Sequence, residues 1–176
     1  MRKSRGIRAS LLPVTLAVAM AGCGDPESPI PVAPDGRLFG AVVREGIEYR
    51  ADVAVLESFP VQLSGRATVT NRSGGPRTVT FTNGCLAQMR VYRAEGGDPV
   101  WDQARETGCT MALVPLDLDP GEESIIPTGI VSARDILGED LPDGSYGIAV
   151  YLRLADDDGV VEIEVEAGVT ELAIPR

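Results

Sequence analysis

Apolar and polar residues alternate with a period of two near the C-terminal end of the chain. In YGIAVYLRL, residues 146–154, five apolar side chains share one face of an extended strand, and Tyr151 and Arg153 lie on the other. In VVEIEVEA, residues 160–167, apolar residues alternate with three glutamates, and the turn sequence ADDDG separates the two stretches. Strict alternation indicates one buried face and one solvent-exposed face. We therefore predict an antiparallel hairpin whose register is fixed by burial of its apolar face.

The same alternation recurs upstream, with turn sequences such as RSGG and TNG between the stretches. The upstream stretches are RADVAVLE (50–57), GRATVTN (65–71), RTVTF (77–81) and AQMRVYR (87–93), and GVTELAIP (168–175) is expected to close the sheet. Helical periodicity is confined to SARDILG, where Ser132 and Asp135 have capping-box spacing. About seven to nine short strands joined by Gly and Pro turns predict an all-β antiparallel sandwich over residues 37–176.

The first 23 residues have the parts of a bacterial secretory signal. Four basic residues lie within the first eight positions, and the apolar stretch Leu11–Met20 is shorter than the roughly 20 residues that span a bilayer. The ending Met20-Ala21-Gly22-Cys23 resembles the bacterial lipobox, in which cleavage before the cysteine leaves that residue acylated. We therefore predict a signal peptide over residues 1–22 and lipidation of Cys23. The alternative is an ordinary signal peptide with an incidental cysteine.

A lipid on Cys23 would place the protein in the bacterial cell envelope, attached to a membrane through its acyl anchor. Gly24, where an aspartate would argue for inner-membrane retention, favours the outer membrane by analogy with the sorting of envelope lipoproteins. Four prolines follow before residue 37, and they predict an extended tether over residues 23–36 with a rise of about 3.1 Å per residue. The tether would hold the sandwich domain away from the membrane, facing the periplasm or the cell surface.

The charge of the chain argues against one class of partner. The sequence has 26 acidic and 16 basic residues, for a net charge of −10. Removing residues 1–22, which hold four basic residues and no acidic ones, would bring the net charge to −14. Proteins that bind nucleic acid need clustered Lys and Arg, so we expect no nucleic-acid partner.

Two cysteines remain after Cys23, namely Cys85 and Cys109. In an oxidising compartment an even pair in an exported domain indicates a disulfide, with two unpaired buried thiols as the alternative. A metal site would need more ligands than two thiolates, and the chain has no histidine. We predict a disulfide and no bound metal or other cofactor.

Four motifs in order resemble the BsuPI family, the intracellular proteinase inhibitor domain with an immunoglobulin-like fold. They are VTNRSGGPRTVTF, VYRAEGGDPVW, LDLDPGEE and LPDGSYGIAVYL, and the resemblance covers about residues 50–154. The positions that carry it are Asn71, Phe81, Trp101, Pro120, Gly121, Glu122, Leu141, Pro142, Gly144 and Tyr146. The resemblance implies an immunoglobulin-like sandwich and, by the family's name, inhibition of a proteinase.

Two of these positions have plain structural roles. The Tyr146 hydroxyl can bond back to the preceding turn, as in a tyrosine corner, and Trp101 is expected to pack in the core or at a sheet edge rather than anchor a ligand. The chain departs from the family in its lipobox, in its cysteine pair and in DQARETGC after Trp101, where the family tends to have another aromatic residue and a serine. No inhibitory residue can therefore be carried over from the family.

The residue types present argue against an enzyme. The chain has no histidine, its one lysine is Lys3, and it has no nucleophile-elbow motif. The run Asp156–Asp158 could offer oxygen ligands to calcium, but it lacks the spacing of a calcium loop and is better explained as a solvated turn.

Two functions remain. The first, which the sequence favours, is a non-catalytic envelope module that binds or scaffolds another, unidentified envelope component, for example through a sheet edge. The second is a tethered inhibitor that presents the disulfide-bounded segment, residues 86–108, to a protease.

Overall fold

The structure is a computed structural model, and it describes residues 36–58 and 60–174. The predicted signal peptide (1–22), Cys23 and the tether (23–36, apart from its last residue) lie outside the described residues. The elements are β1 (Arg37–Arg44), β2 (Ile47–Leu56), β3 (Gln62–Asn71), β4 (Arg77–Phe81), β5 (Gln88–Arg93), β6 (Trp101–Asp102), α1 (Gln103–Glu106), β7 (Val114–Leu118), β8 (Glu123–Ser132), α2 (Ala133–Leu137), β9 (Gly144–Asp156) and β10 (Gly159–Leu172). None of the helices in this part of the chain is long and apolar enough to cross a membrane.

The strands form two antiparallel sheets, which confirms the predicted all-β sandwich. The first sheet has the order β1-β2-β3-β8. In the second, β10 pairs with one edge of β9, while the other edge pairs with β5 and, further along at Leu154, with β4. Strand β6 extends this sheet beyond β5, and β7 extends it beyond β4.

The β9–β10 hairpin has the predicted pairing, with Val150 opposite Val165. Its inward face is buried, since Ile148, Val150 and Leu152 are each at most 1% exposed. Strand β10 is longer than expected: a β-bulge between Glu166 and Gly168 lets GVTEL continue the same strand instead of forming a separate one. A bulge adds one residue and bends the strand, so pairing with β9 persists to Leu172.

The core lies between the two sheets and draws on both. Its largest fully buried side chains on the first sheet include Leu38, Val53, Leu63 and Val69, and those on the second include Phe81, Met89, Leu118, Ile148, Leu152 and Leu172. Strand β1 also runs against β10 at Gly40, where an added Cβ would lie 1.8 Å from the Glu166 carbonyl oxygen. A side chain at this position would clash with backbone, so the close approach of the two sheets requires glycine there.

The short helix α2 begins as the sequence predicts. The Ser132 side chain accepts a hydrogen bond from the Asp135 N–H at 3.2 Å, and the Asp135 carboxylate accepts one from the Ser132 N–H at 3.4 Å. These reciprocal bonds are the capping box, and they satisfy two backbone donors that the helix leaves free.

Candidate functional site

A disulfide joins Cys85 to Cys109, with 5.4 Å between their Cα atoms. This confirms the pairing predicted from the sequence, and the separation is typical of an unforced disulfide. Cys85 follows β4 and precedes β5, whereas Cys109 follows α1 and precedes β7. The disulfide therefore joins the β4–β5 connection to the α1–β7 connection.

The segment inside the disulfide, residues 86–108, is not the exposed loop that the sequence suggests. It contains β5, β6 and α1, and Met89, Val91 and Trp101 are buried core residues. Its exposed parts are residues 93–98 and residues 104–108. Pairing of β5 with β9 draws the first half of the segment into the sheet, so it cannot act as a free loop.

The exposed apolar segment lies just after the disulfide, at residues 110–113. Met111 is 93% exposed and Leu113 is 68% exposed, although both side chains are large and apolar. The segment is irregular between Cys109 and the start of β7 at Val114, which pairs with Phe81. Both ends of this short stretch are therefore fixed, and its apolar side chains face solvent.

Backbone hydrogen bonds hold the segment in place. The Gly84 N–H donates to the Thr110 carbonyl at 2.9 Å, and the Ala112 N–H donates to the same carbonyl at 3.1 Å. The first bond ties the segment to the β4–β5 connection, and the second closes a three-residue turn centred on Met111. Together with the disulfide, these bonds restrict the conformations of the segment before any partner binds.

Helix α1, which precedes Cys109 in the chain, is itself fixed to both sheets. The Asp102 carboxylate caps the helix by accepting from the Ala104 N–H at 2.9 Å. The Gln103 side chain accepts from the Met89 N–H at 2.9 Å and donates to the Thr128 carbonyl at 2.7 Å. Because Met89 belongs to the second sheet and Thr128 to the first, Gln103 fastens the helix that precedes Cys109 to both layers.

Charge is absent from this region of the sequence. Residues 78–89 and 107–116 contain no Asp, Glu, Lys or Arg, and each stretch holds one cysteine of the disulfide. Depletion of charge, with Met among the enriched residues, is typical of the core of a protein–protein interface. The lack of charge in these two stretches is the sequence signal that could have located residues 110–113. The alternation of apolar and polar residues does not reveal them, because they do not form a strand.

The family-motif positions lie mainly at turns and in the core. Buried Asn71 donates through its side-chain amide to the Gly75 carbonyl at 2.8 Å and to the Leu118 carbonyl at 3.0 Å. Its backbone carbonyl accepts from the Gly121 N–H at 2.8 Å, and its N–H donates to the Glu122 carbonyl at 3.0 Å. Asn71 thus joins the β3–β4 and β7–β8 turns, and the left-handed φ of +81° at Gly121 explains glycine after Pro120.

The remaining motif positions also have structural places. The Tyr146 hydroxyl donates to the Pro142 carbonyl at 2.6 Å, which is the bond expected of a tyrosine corner. Phe81 and Trp101 are buried in the core, and Gly144 begins β9. The Trp101 Nε1–H has no hydrogen-bond acceptor within the described ranges.

A charged cluster covers the outer face of the second sheet, where the alternation predicts a wet surface. Tyr151 is 1% exposed because the Arg90 guanidinium lies over its ring, 3.8 Å from the centroid. Arg90 also contacts Asp102 at 3.0 Å, Glu164 at 2.8 Å and Glu162. The alternation predicts that the three hairpin glutamates are largely exposed, which holds for Glu162 and Glu166 but is wrong for Glu164, which is half-buried.

Hydrogen bonds in this cluster shift the pKa of its members. Burial would raise the pKa of the Asp102 carboxyl, but bonds from the Ala104 N–H, Arg90 and Tyr151 lower it below its ordinary value of 3.8. Burial and the bond to Asp102 raise the pKa of the Tyr151 hydroxyl. Every charged group in the cluster is paired, so the cluster fastens β5, β6, β9 and β10 together rather than offering a reactive group.

No metal centre appears among residues 36–58 and 60–174, where no group of three or more Cys, Asp or Glu side chains could hold an ion. Asp156 instead forms an ion pair with Arg44 at 3.3 Å and accepts from the Asp157 N–H at 2.7 Å. These contacts fit a hairpin turn.

Comparison with protein families supplies the remaining observation. Residues 49–156 match the family model of BsuPI, described as intracellular proteinase inhibitor. The chain belongs to the BsuPI family. The match runs from β2 to the end of β9, so it includes the disulfide, α1 and the exposed segment at 110–113. A comparison with curated proteins finds no match.

Proposed function

We propose that this BsuPI-family protein is a proteinase inhibitor that binds its target through residues 110–113. The observation that carries the proposal is Met111, a large apolar side chain that is 93% exposed within a segment fixed at both ends. Family membership supports this function over the envelope scaffold that the sequence alone favours, because the family is described as a proteinase inhibitor.

Preorganisation is the physical basis of the proposal. Ordering a side chain or loop during association costs affinity, at about 0.5 to 1.5 kcal/mol for each immobilised flexible side chain. The disulfide and the bond from Gly84 to Thr110 impose most of that order during folding instead. A loop that is already fixed can therefore use more of its contact energy for binding.

The other exposed turn near the disulfide-bounded strands is less suitable. Residues 94–98 read AEGGD, with two acidic residues and two glycines at left-handed φ, namely Gly96 at +86° and Gly97 at +103°. This turn offers no large apolar side chain and no covalent tie near its tip. The contrast favours residues 110–113 as the contact surface.

The test is inhibition of a panel of purified proteinases, with paired variants in the exposed positions. Leu113→Asp should weaken inhibition at least tenfold, because a charge would be buried in the interface. Val43→Asp is the matched control: Val43 is 66% exposed, close to the 68% of Leu113, but lies on β1 of the other sheet. Equal inhibition by both variants would contradict the proposed surface, and no inhibition by the unmodified protein would contradict the function.

We also propose that the inhibitor is anchored to a membrane of the bacterial envelope through Cys23, with residues 1–22 removed. The lipobox-like sequence before Cys23 and the four prolines that follow it support the proposal. Metabolic labelling with a fatty-acid probe tests it. Cys23→Ala should abolish the label and leave an uncut or soluble form, whereas undiminished label on the variant would contradict the anchor.

A further inference from the structure

We infer that Met111 is the residue that enters the primary-specificity pocket of the target proteinase, and that this pocket is deep and apolar. The inference rests on the proposed function and adds to it the class of proteinase that the chain can inhibit. It is carried by the turn at residues 110–112 and by the residue types around it.

The backbone places Met111 at the apex of the segment. The bond from the Ala112 N–H to the Thr110 carbonyl, 3.1 Å long, spans three residues with Met111 at the centre. In the described part of the chain, Glu45 is the one non-glycine residue with positive φ, so the turn at Met111 is of the inverse γ type. The side chain of the central residue points away from the body of the turn, which agrees with its 93% exposure.

An apical side chain fits the concave shape of a proteinase site. Substrate sites are clefts, and the residue that protrudes furthest can reach the deepest part of the cleft. Thr110 is held back by the bond from Gly84, and Ala112 on the other side is small. Met111 can therefore insert without a bulky neighbour at the rim of the pocket.

The chemistry of the segment selects an apolar pocket. Methionine is unbranched and polarisable, so it adapts to pockets of different shape while burying apolar surface. The segment cannot satisfy a pocket with an acidic base, because no Lys or Arg occurs between Arg105 and Arg134. An acidic pocket would be left with an unpaired buried charge. Proteinases that cleave after large apolar residues are thus expected targets, and those that cleave after Lys or Arg are not.

The experiment measures inhibition constants for the protein and three variants against proteinases that cleave after large apolar, basic or small residues. The unmodified protein should inhibit the apolar class at least roughly tenfold more strongly than the basic class. Met111→Leu should keep this preference, Met111→Lys should move it toward the basic class, and Met111→Asp should weaken inhibition of every class. Because the side chain is exposed, all variants should melt at the temperature of the unmodified protein.

The outcomes separate the two proposals. Inhibition that is unchanged by all three Met111 substitutions would overturn this inference while leaving the inhibitor function in place. A stronger effect of the unmodified protein on the basic class would also overturn it. Absence of inhibition by the unmodified protein against every proteinase would overturn the proposed function and this inference with it.

Discussion

The β9–β10 hairpin and the segment at residues 110–113 are both rich in apolar residues, yet the fold uses them in opposite ways. In the hairpin, Val150 of β9 is fully buried, and in the paired strand β10 apolar residues alternate with glutamates. In the segment, Met111 is 93% exposed and no charged residue lies within four positions on either side. Hydrophobic residues on a surface are ordinary when scattered singly, but two exposed ones separated by a single residue on a fixed, uncharged segment favour a binding surface.

The two regions contribute to different properties, the hairpin to the stability of the fold and the exposed segment to binding. Apolar burial in the hairpin contributes about 1.5 to 3 kcal/mol for each fully buried large side chain, so the hairpin stabilises the fold. The apolar side chains of the exposed segment gain no burial energy in the free protein. Their apolar surface remains available to a partner. Substitutions in the hairpin should therefore change the free energy of unfolding, and substitutions in the segment should change inhibition alone.

The largest expected effect comes from placing a charge in the hairpin. Val150→Asp buries an unpaired carboxylate between the sheets and should destabilise the domain by more than about 4 kcal/mol, enough to unfold it. Met111→Asp is the matched change in the exposed segment and should leave the midpoint of thermal unfolding unaltered. Thermal melts followed by circular dichroism compare the two. Equally mild effects would contradict the face assignment of β9 and the sandwich built on it.

The second-largest expected effect comes from removing the disulfide next to the exposed segment. Replacing both Cys85 and Cys109 with serine opens a loop of 25 residues and should lower the free energy of unfolding by about 3 to 4 kcal/mol. The hairpin core should still form, while the segment at 110–113 loses one of its ties, so inhibition should fall further than stability predicts. Denaturant unfolding and inhibition assays at a temperature where the variant is folded measure both. Full inhibition by the folded variant would show that preorganisation by the disulfide is unimportant.

The inner face of the hairpin could be predicted from sequence because alternation is a local property of one strand. The outer face could not, since the burial of Tyr151 depends on Arg90 and Asp102, which are 61 and 49 positions away. The disulfide could be predicted from the number of cysteines together with the predicted export of the chain. The exposed segment could not, because the cysteine spacing does not show that pairing of β5 with β9 buries the first half of the chain between the cysteines, whereas Met111 after Cys109 is exposed.

A third effect concerns this outer face and acid pH. The folded state lowers the pKa of Asp102 below its ordinary value of 3.8, so its contribution to stability is fully present above that pH. The contribution should be lost as the pH falls through the lower pKa of the folded state. Asp102→Asn should be less stable than the unmodified protein at neutral pH, and the difference should shrink in acid. Thermal melts at several pH values measure it, with Glu166→Gln as the exposed control. A difference independent of pH would contradict the role of the Asp102 charge.

The smallest expected effect on stability, and the sharpest test of the comparison, is oxidation of methionine. Hydrogen peroxide transfers one oxygen atom to a thioether sulfur and leaves water, converting an apolar side chain into a polar sulfoxide. Of the two methionines that the structure describes, Met89 is 1% exposed in the core and Met111 is 93% exposed, so mild treatment should modify Met111 first. Thermal unfolding should stay the same, because Met111 makes no core contact.

Inhibition should nevertheless weaken roughly tenfold or more, since the sulfoxide would be buried in an apolar pocket without a hydrogen-bond partner. Met111→Leu provides the control, because it keeps an apolar apex that peroxide cannot oxidise and should retain inhibition through the same treatment. Mass spectrometry locates the added oxygen. The contrary outcome is unchanged inhibition by a protein with the sulfoxide confirmed at Met111. In that case the exposed segment would not be the contact surface, and the exposure of its apolar side chains would need another explanation.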